Sequence, residues 1–263
     1  FAAAIMPGLM LAVLYTGYTL IRCHLNPNLG PVVPEDLIPD SMKEVWVEFF
    51  KGLVPPVLLV GSSLGSILAG WATPTEGAAM GAVGSILLTL AYRKLTFESF
   101  KSSLLKTLEI TTLIMVLVCA SNFFGSVFSR LGTPTMITEY LMLLDLPPTA
   151  ILLIIMAFIF LLAWPLEWVP IVLIIIPIVL PLIEQLGFNL TWFGILVAVN
   201  LQTAWLSPPV ALSAYFLKGV VPEWDLADIY KGMMQFMAIQ VVGLALIIIF
   251  PQIVLWLPTY LYG

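Results

Sequence analysis

Apolar runs of roughly membrane-crossing length recur along the chain, and polar connectors separate them. Residues 1–21 read as a first membrane helix, with Pro7-Gly8 near its start. Residues 22–51 form a polar connector whose least regular part is PVVPEDLIPD, with a short interfacial helix expected over 45–50. Residues 53–70 are the second span, rich in glycine and serine, which permit close helix approach. The 77–92 run carries Gly77, Gly81 and Gly84 and reads the same way. A basic amphipathic connector over 93–106 leads into a span over 107–128, and a short helix is expected over 136–144. After a polar connector at 218–231, a last span covers 233–258. About 20 apolar residues cross a hydrocarbon core of roughly 30 Å. The pattern therefore predicts an all-α polytopic membrane protein.

Two adjacent stretches break it. The 149–162 run is too short to cross comfortably, and it meets Ala163-Trp164-Pro165-Leu166-Glu167-Trp168-Val169-Pro170 before a second short run, 171–182. Two half-length helices joined by a proline-rich turn with one acid read as a re-entrant hairpin over about residues 149–186. Next comes Asn200-Leu201-Gln202-Thr203-Ala204-Trp205-Leu206-Ser207-Pro208-Pro209-Val210, flanked by apolar runs at 190–199 and 211–217. Its polar side chains need partners in hydrocarbon, where an unmet polar group costs several kcal/mol. Pro208 and Pro209 lack a backbone donor and clash with a continuing helix. A broken helix over about residues 190–217 follows, unwound near 204–208, with free backbone carbonyls and half-helix ends. Such a break is tolerated where it is buried in protein or lines a wet cavity, which points to an ion or substrate site.

Single residues admit paired readings. Thr73-Pro74-Thr75-Glu76 has the layout of a capping box, with Pro74 as the first helical residue and Glu76 third. Glu76 either bonds its own helix start or contacts a ligand. Gly132-Thr133-Pro134 repeats the cap-then-proline signal. Glu167 at the hairpin tip is expensive unless paired, hydrated or protonated. It lies near a cation or substrate, or caps the second half-helix, and the two are compatible. Thr203 and Ser207 offer hydroxyls to a cation or carboxylate, or back-bond to carbonyls freed by the prolines. Asn200 and Gln202 read mainly as fasteners to neighbouring helices. Glu109 reads as interfacial, and the aromatics over 256–262 as a membrane belt.

Composition agrees with this picture and removes several functions. The chain is 61% hydrophobic and 10% charged, which describes a membrane protein. A net charge of −5 without a basic stripe argues against nucleic acid. His24 is the single histidine, and no nucleophile–base pair, phosphate loop or metal spacing appears, so an enzyme is disfavoured. Cys23 and Cys119 read as free buried thiols. If the hairpin enters and leaves from one side, the connectors at 22–51, 93–106 and 218–231 share the opposite side and hold every Lys and Arg except Arg130. That asymmetry places those connectors in the cytoplasm and opens the hairpin to the outside. The chain opens on Phe1 inside an apolar run, so its N-terminus is expected to be incomplete. Transporters of this type usually carry a second, inverted hairpin and broken helix, expected here upstream of Phe1.

The ordered pieces resemble the large membrane (permease) subunit of tripartite ATP-independent periplasmic (TRAP) transporters. They are Phe1-Ala2-Ala3-Ala4-Ile5-Met6-Pro7-Gly8-Leu9, Gly70-Trp71-Ala72-Thr73-Pro74-Thr75-Glu76, Leu166-Glu167-Trp168 with Pro177 and Pro181, and NLQTAWLSPPV followed by Leu217-Lys218-Gly219-Val220. The resemblance implies an elevator-type ion-transporter fold, of which this chain would hold only the second inverted repeat. It implies a connecting helix and connector over 1–51, scaffold helices over 52–106, half of a transport domain over 107–231, and a C-terminal scaffold helix over 232–263. It implies sodium-coupled import of a small organic acid, with a separate periplasmic substrate-binding protein, a small four-helix membrane subunit and membrane lipid as partners. The location would be the bacterial or archaeal inner membrane, with sodium as coupling ion and no other cofactor. Carried onto this chain, the ion and substrate site falls on Leu166, Glu167, Trp168, Thr203, Ala204, Trp205, Ser207, Pro208 and Pro209, sodium being held mainly by backbone carbonyls over 203–207. The sequence departs at Glu167, Ser207 and Ala211, where Asp, Thr and Gly are commoner. The NLQT wording resembles the branch named for mannitol and chloroaromatic compounds, several of whose members take 2-oxo acids or lactate. A passive channel with broken helices is the alternative function.

Overall fold

The computed structural model describes residues 1–30, 41–166, 168–208 and 211–263. The PVVPEDLIPD stretch, Glu167, Pro209 and Val210 lie outside the described residues. Every regular element among the described residues is helical. Among the described residues, five helices are long and apolar enough to cross a membrane: α1 (Ala2–Leu25), α2 (Met42–Leu68), α4 (Phe97–Arg130), α7 (Trp168–Gln185) and α10 (Leu226–Ile249). Between them lie α3 (Pro74–Ala91), α5 (Thr133–Met142), α6 (Pro148–Leu162), α8 (Leu190–Leu206) and α9 (Leu212–Val220), and α11 (Gln252–Tyr262) follows.

Backbone contacts divide the chain into two units, Arg22–Thr111 and Phe1–Ile21 with Thr112–Gly263. In the first unit α2 packs on α3, and Gly77, Gly81 and Gly84 face the contact. A Cβ on Gly77 would lie 2.6 Å from Ile67 Cδ1 and 3.1 Å from the Ser63 carbonyl. The Ser63 hydroxyl donates to the Gly77 carbonyl at 2.7 Å, so the approach is sealed by a hydrogen bond. Thr73 caps α3 as expected. Its hydroxyl accepts from the Glu76 N–H at 3.3 Å, and the Glu76 carboxylate accepts from the Thr73 N–H at 2.7 Å.

Helix boundaries moved where local chemistry outweighs the polarity of a connector. The interfacial helix expected over 45–50 is the first part of α2, which Ser41 caps from its side chain. The basic connector over 93–106 is helical from Phe97, giving a single helix of 34 residues. Its start is a second reciprocal cap, in which the Ser99 N–H donates to Thr96 Oγ1 and the Thr96 N–H to Ser99 Oγ, each at 3.1 Å. Gly132, not Thr133, is the N-cap of α5: at φ 72° it ends α4 and turns directly into the next helix. The last span is two helices, because Pro251 forces Phe250 out of helical geometry, to φ −121° and ψ 76°. Cys119 is exposed and Cys23 only half-buried, both as free thiols, so neither is the buried thiol that was expected.

The larger unit holds the apolar core. Ile151, Leu152, Ile155, Met156 and Ile159 form one buried face of α6. They belong to the same buried cluster as Trp192, Phe193, Leu196 and Val197 of α8. Burying a side chain of this size contributes about 1.5–3 kcal/mol in water, but less between helices in lipid, where packing and hydrogen bonds decide. Helix α8 is therefore central: α6, α7, α10 and α11 all contact it.

Candidate functional site

Two apolar helices separated by a turn stand where the hairpin is expected, and the helix after them stops at Ser207, before the proline pair. Limb α6 has 15 residues and ends in a turn over 163–166, where the Leu166 N–H bonds the Leu162 carbonyl at 3.0 Å. The second limb is longer than expected. Trp168-Val169-Pro170 serve as its first turn, and the 18-residue α7 reaches spanning length. Pro177 offers no N–H to the Leu173 carbonyl, and the helix accommodates this with a π turn over Ile171–Ile175.

The break in α8 lies a few residues later than expected. The chain stays helical through Leu206, with a turn at Gln202, leaves helical geometry at Ser207 and is helical again from Leu212. A proline constrains the residue before it, and Ser207 is accordingly extended, at φ −94° and ψ 129°. The preceding turn survives: the Ser207 N–H still reaches the Thr203 carbonyl at 2.9 Å. What the prolines remove are the N–H groups four residues beyond Ala204 and Trp205, so those two carbonyls have no helical donor. Ala211 re-enters helix from φ 23°, a left-handed conformation that glycine adopts more cheaply.

Asn200, Thr203 and Ser207 recur at helical spacing on one buried face, each at most 1% exposed. The Asn200 amide donates to the Met156 carbonyl at 2.8 Å, which fastens α8 to the first hairpin limb. The Thr203 hydroxyl donates to the Asn200 carbonyl at 2.6 Å. Asn200 Oδ1, Ser207 Oγ and Trp164 Nε1 are buried without a hydrogen-bond partner among the described residues. Two of these three atoms are oxygens of the broken helix, and unsatisfied buried polar atoms are rare enough to require an explanation.

On another face of α8 a cavity of about 450 Å³ opens between the broken helix and α7. Trp168, Val172 and Ile176 line it from α7, and Val197, Gln202 and Trp205 from α8. Of the expected site residues, the structure thus brings Trp168 and Trp205 to one cavity. Thr203, Ala204 and Ser207 lie in the buried interior. Leu166 sits in the turn, 39% exposed, and Pro208 is half-buried. Thr73, Pro74, Thr75 and Glu76 belong to the other unit.

Residues outside the expected set also shape the site. Gln240 of α10 is fully buried and donates to the Val199 carbonyl at 2.9 Å and to Gln202 Oε1 at 2.6 Å, while Tyr15 of α1 donates to Gln240 Oε1. A signal was available: Gln240 is an amide inside an apolar helix and had to find partners. Trp192 Nε1 likewise donates to the Ile247 carbonyl at 3.1 Å.

Residues 1–253 match the family described as the tripartite ATP-independent periplasmic transporter, DctM component. The chain belongs to this family. It is 26% identical, over 100% of its own length and 60% of the relative's, to the sialic acid TRAP transporter large permease protein SiaM of Vibrio cholerae. It is 27% identical to the C4-dicarboxylate TRAP transporter large permease protein DctM of Pseudomonas aeruginosa, with coverages of 99% and 60%. The isethionate TRAP transporter permease protein DctMQ of Oleidesulfovibrio alaskensis is 28% identical, over 84% of this chain and 34% of that protein. The chain spans between 41% and 62% of the first three curated relatives it matches. As a DctM chain it is a permease component, not an enzyme, and a multi-pass membrane protein of a bacterial transporter family.

Proposed function

We propose that this chain forms one wall of the translocation site of a sodium-coupled importer of small organic acids. One observation carries the reading: the helix α8 stops at a proline pair, and its buried face holds oxygens without partners among the described residues. Sodium is a hard cation, and neutral oxygens suit it. The Ala204 and Trp205 carbonyls, Ser207 Oγ and Asn200 Oδ1 are the atoms that would hold it, and α8 is otherwise tied down at Asn200 and Gln240. Ion binding would satisfy them and stiffen the broken helix against the hairpin, closing the site over the acid. Relatives named for sialic acid, C4-dicarboxylates and isethionate support an anionic substrate class.

Membership of the family supports the remaining parts of this reading. A small four-helix membrane subunit and a periplasmic binding protein would complete the system in the bacterial inner membrane. The hairpin and broken helix would move as one elevator body against scaffold helices. The test is uptake of radiolabelled acids into proteoliposomes holding the full-length permease, its small subunit and its binding protein. Uptake should rise when an inward sodium gradient is imposed. Uptake that ignores the gradient would favour the passive channel instead.

A further inference from the structure

The buried amide network fixes which end of Gln202 is available. Gln240 presents one end of its amide to two atoms, the Val199 carbonyl at 2.9 Å and the Gln202 side chain at 2.6 Å. A backbone carbonyl only accepts, so that end of Gln240 must be its NH2 group. The Gln202 atom facing it must then be the oxygen. The other end of Gln240 is its oxygen, and it accepts from the Tyr15 hydroxyl. The Val199 carbonyl thus sets the sense of the whole chain of bonds. It leaves the Gln202 NH2 group without a partner among the described residues, on an exposed side chain that lines the cavity between α7 and α8. Its other described lining side chains are aliphatic or indole, so this NH2 is the one amide donor they offer.

We propose that Gln202 is a substrate-facing donor that binds an anionic oxygen of the acid, with Gln240 as the positioning residue that keeps its nitrogen turned outward. The inference rests on the proposed transport of organic acids and adds the group that recognises them. Gln202→Glu separates this role from a structural one. Glutamate keeps the oxygen that Gln240 bonds, but it replaces the donor with a second acceptor and a negative charge.

The experiment uses the full-length permease with its small subunit in liposomes, with every native cysteine, Cys23 and Cys119 included, replaced by serine and Ala198→Cys introduced in the cavity wall. The rate of maleimide labelling at position 198 is measured at constant sodium with chloride, pyruvate, succinate or isethionate. At least one organic anion should slow labelling relative to chloride. Gln202→Glu should raise the concentration needed by on the order of tenfold, the scale of a lost hydrogen bond to a charged group. Gln240→Leu should also weaken protection, because it frees the Gln202 amide to turn. Thermal unfolding of Gln202→Glu should stay near the parent value. Absence of protection by every anion, or protection unchanged in Gln202→Glu, overturns the proposal. Labelling needs no gradient, so sodium-independent uptake alongside intact anion protection would sink the coupling reading and leave this one standing.

Discussion

Asn200 donates its side-chain amide to the Met156 carbonyl at 2.8 Å, and this bond is the polar tie between the broken helix and the first limb of the hairpin. Both ends are buried, and α6 and α8 otherwise meet through aliphatic and aromatic side chains. Asn200→Asp keeps the shape but replaces the donor with a carboxylate oxygen set against the Met156 carbonyl. The expected cost is about 1–3 kcal/mol, read as a lower unfolding temperature in detergent. Asn200→Leu should cost less than Asn200→Asp, because it leaves an unmet carbonyl without adding a charge. The reverse order would mean that the amide is not a tie.

Ala211 gives the opposite sign. It sits at φ 23° with no exposed surface, immediately before α9. Glycine adopts that conformation without Cβ strain, and the relief outweighs the extra freedom of the unfolded chain. Ala211→Gly should stabilise the chain by about 1 kcal/mol, a scale set by the left-handed penalty. An unfolding temperature that falls would show that the methyl group packs better than the backbone geometry implies.

Legibility followed from how local each cause is. The Thr73 cap, the glycine face of α3 and the proline pair at 208–209 act over a few residues, and each was readable from spacing and side-chain chemistry. The 34-residue α4 was not, because a polar connector and an apolar span can form one helix when no proline or glycine intervenes. Helix α7 gained length because a tryptophan–valine–proline triplet, which reads as a turn, also serves as a first helical turn. The Tyr15–Gln240–Gln202 chain was invisible for a different reason. Its members lie 225 and 38 positions apart, so only packing brings them together.

The two hydroxyls of the broken helix should separate in their effect on sodium. Thr203 commits its donor to the Asn200 carbonyl, whereas Ser207 Oγ is buried and has no partner among the described residues. Ser207→Ala should therefore raise the sodium concentration for half-maximal uptake several-fold, and Thr203→Ala should do so less. The double variant should require more sodium than either single one. Equal sodium dependence in all four proteins would remove both hydroxyls from the ion site and leave the Ala204 and Trp205 carbonyls with Asn200 Oδ1.

Gly77 tests whether close approach holds α2 against α3. Its added Cβ would fall 2.6 Å from Ile67 Cδ1, the end of a flexible side chain, but 3.1 Å from the Ser63 carbonyl, which is backbone. The two neighbours respond differently. Gly77→Ala should destabilise by about 1–3 kcal/mol, the usual cost of overpacking. Adding Ile67→Ala removes the side-chain clash and leaves the backbone one, so it should recover part of the loss and not all of it. The Ser63 hydrogen bond to the Gly77 carbonyl supplies an independent check, since Ser63→Ala removes that bond without crowding. If Gly77→Ala and Ser63→Ala were both neutral in thermal unfolding, the α2–α3 contact would not depend on the glycine face at all.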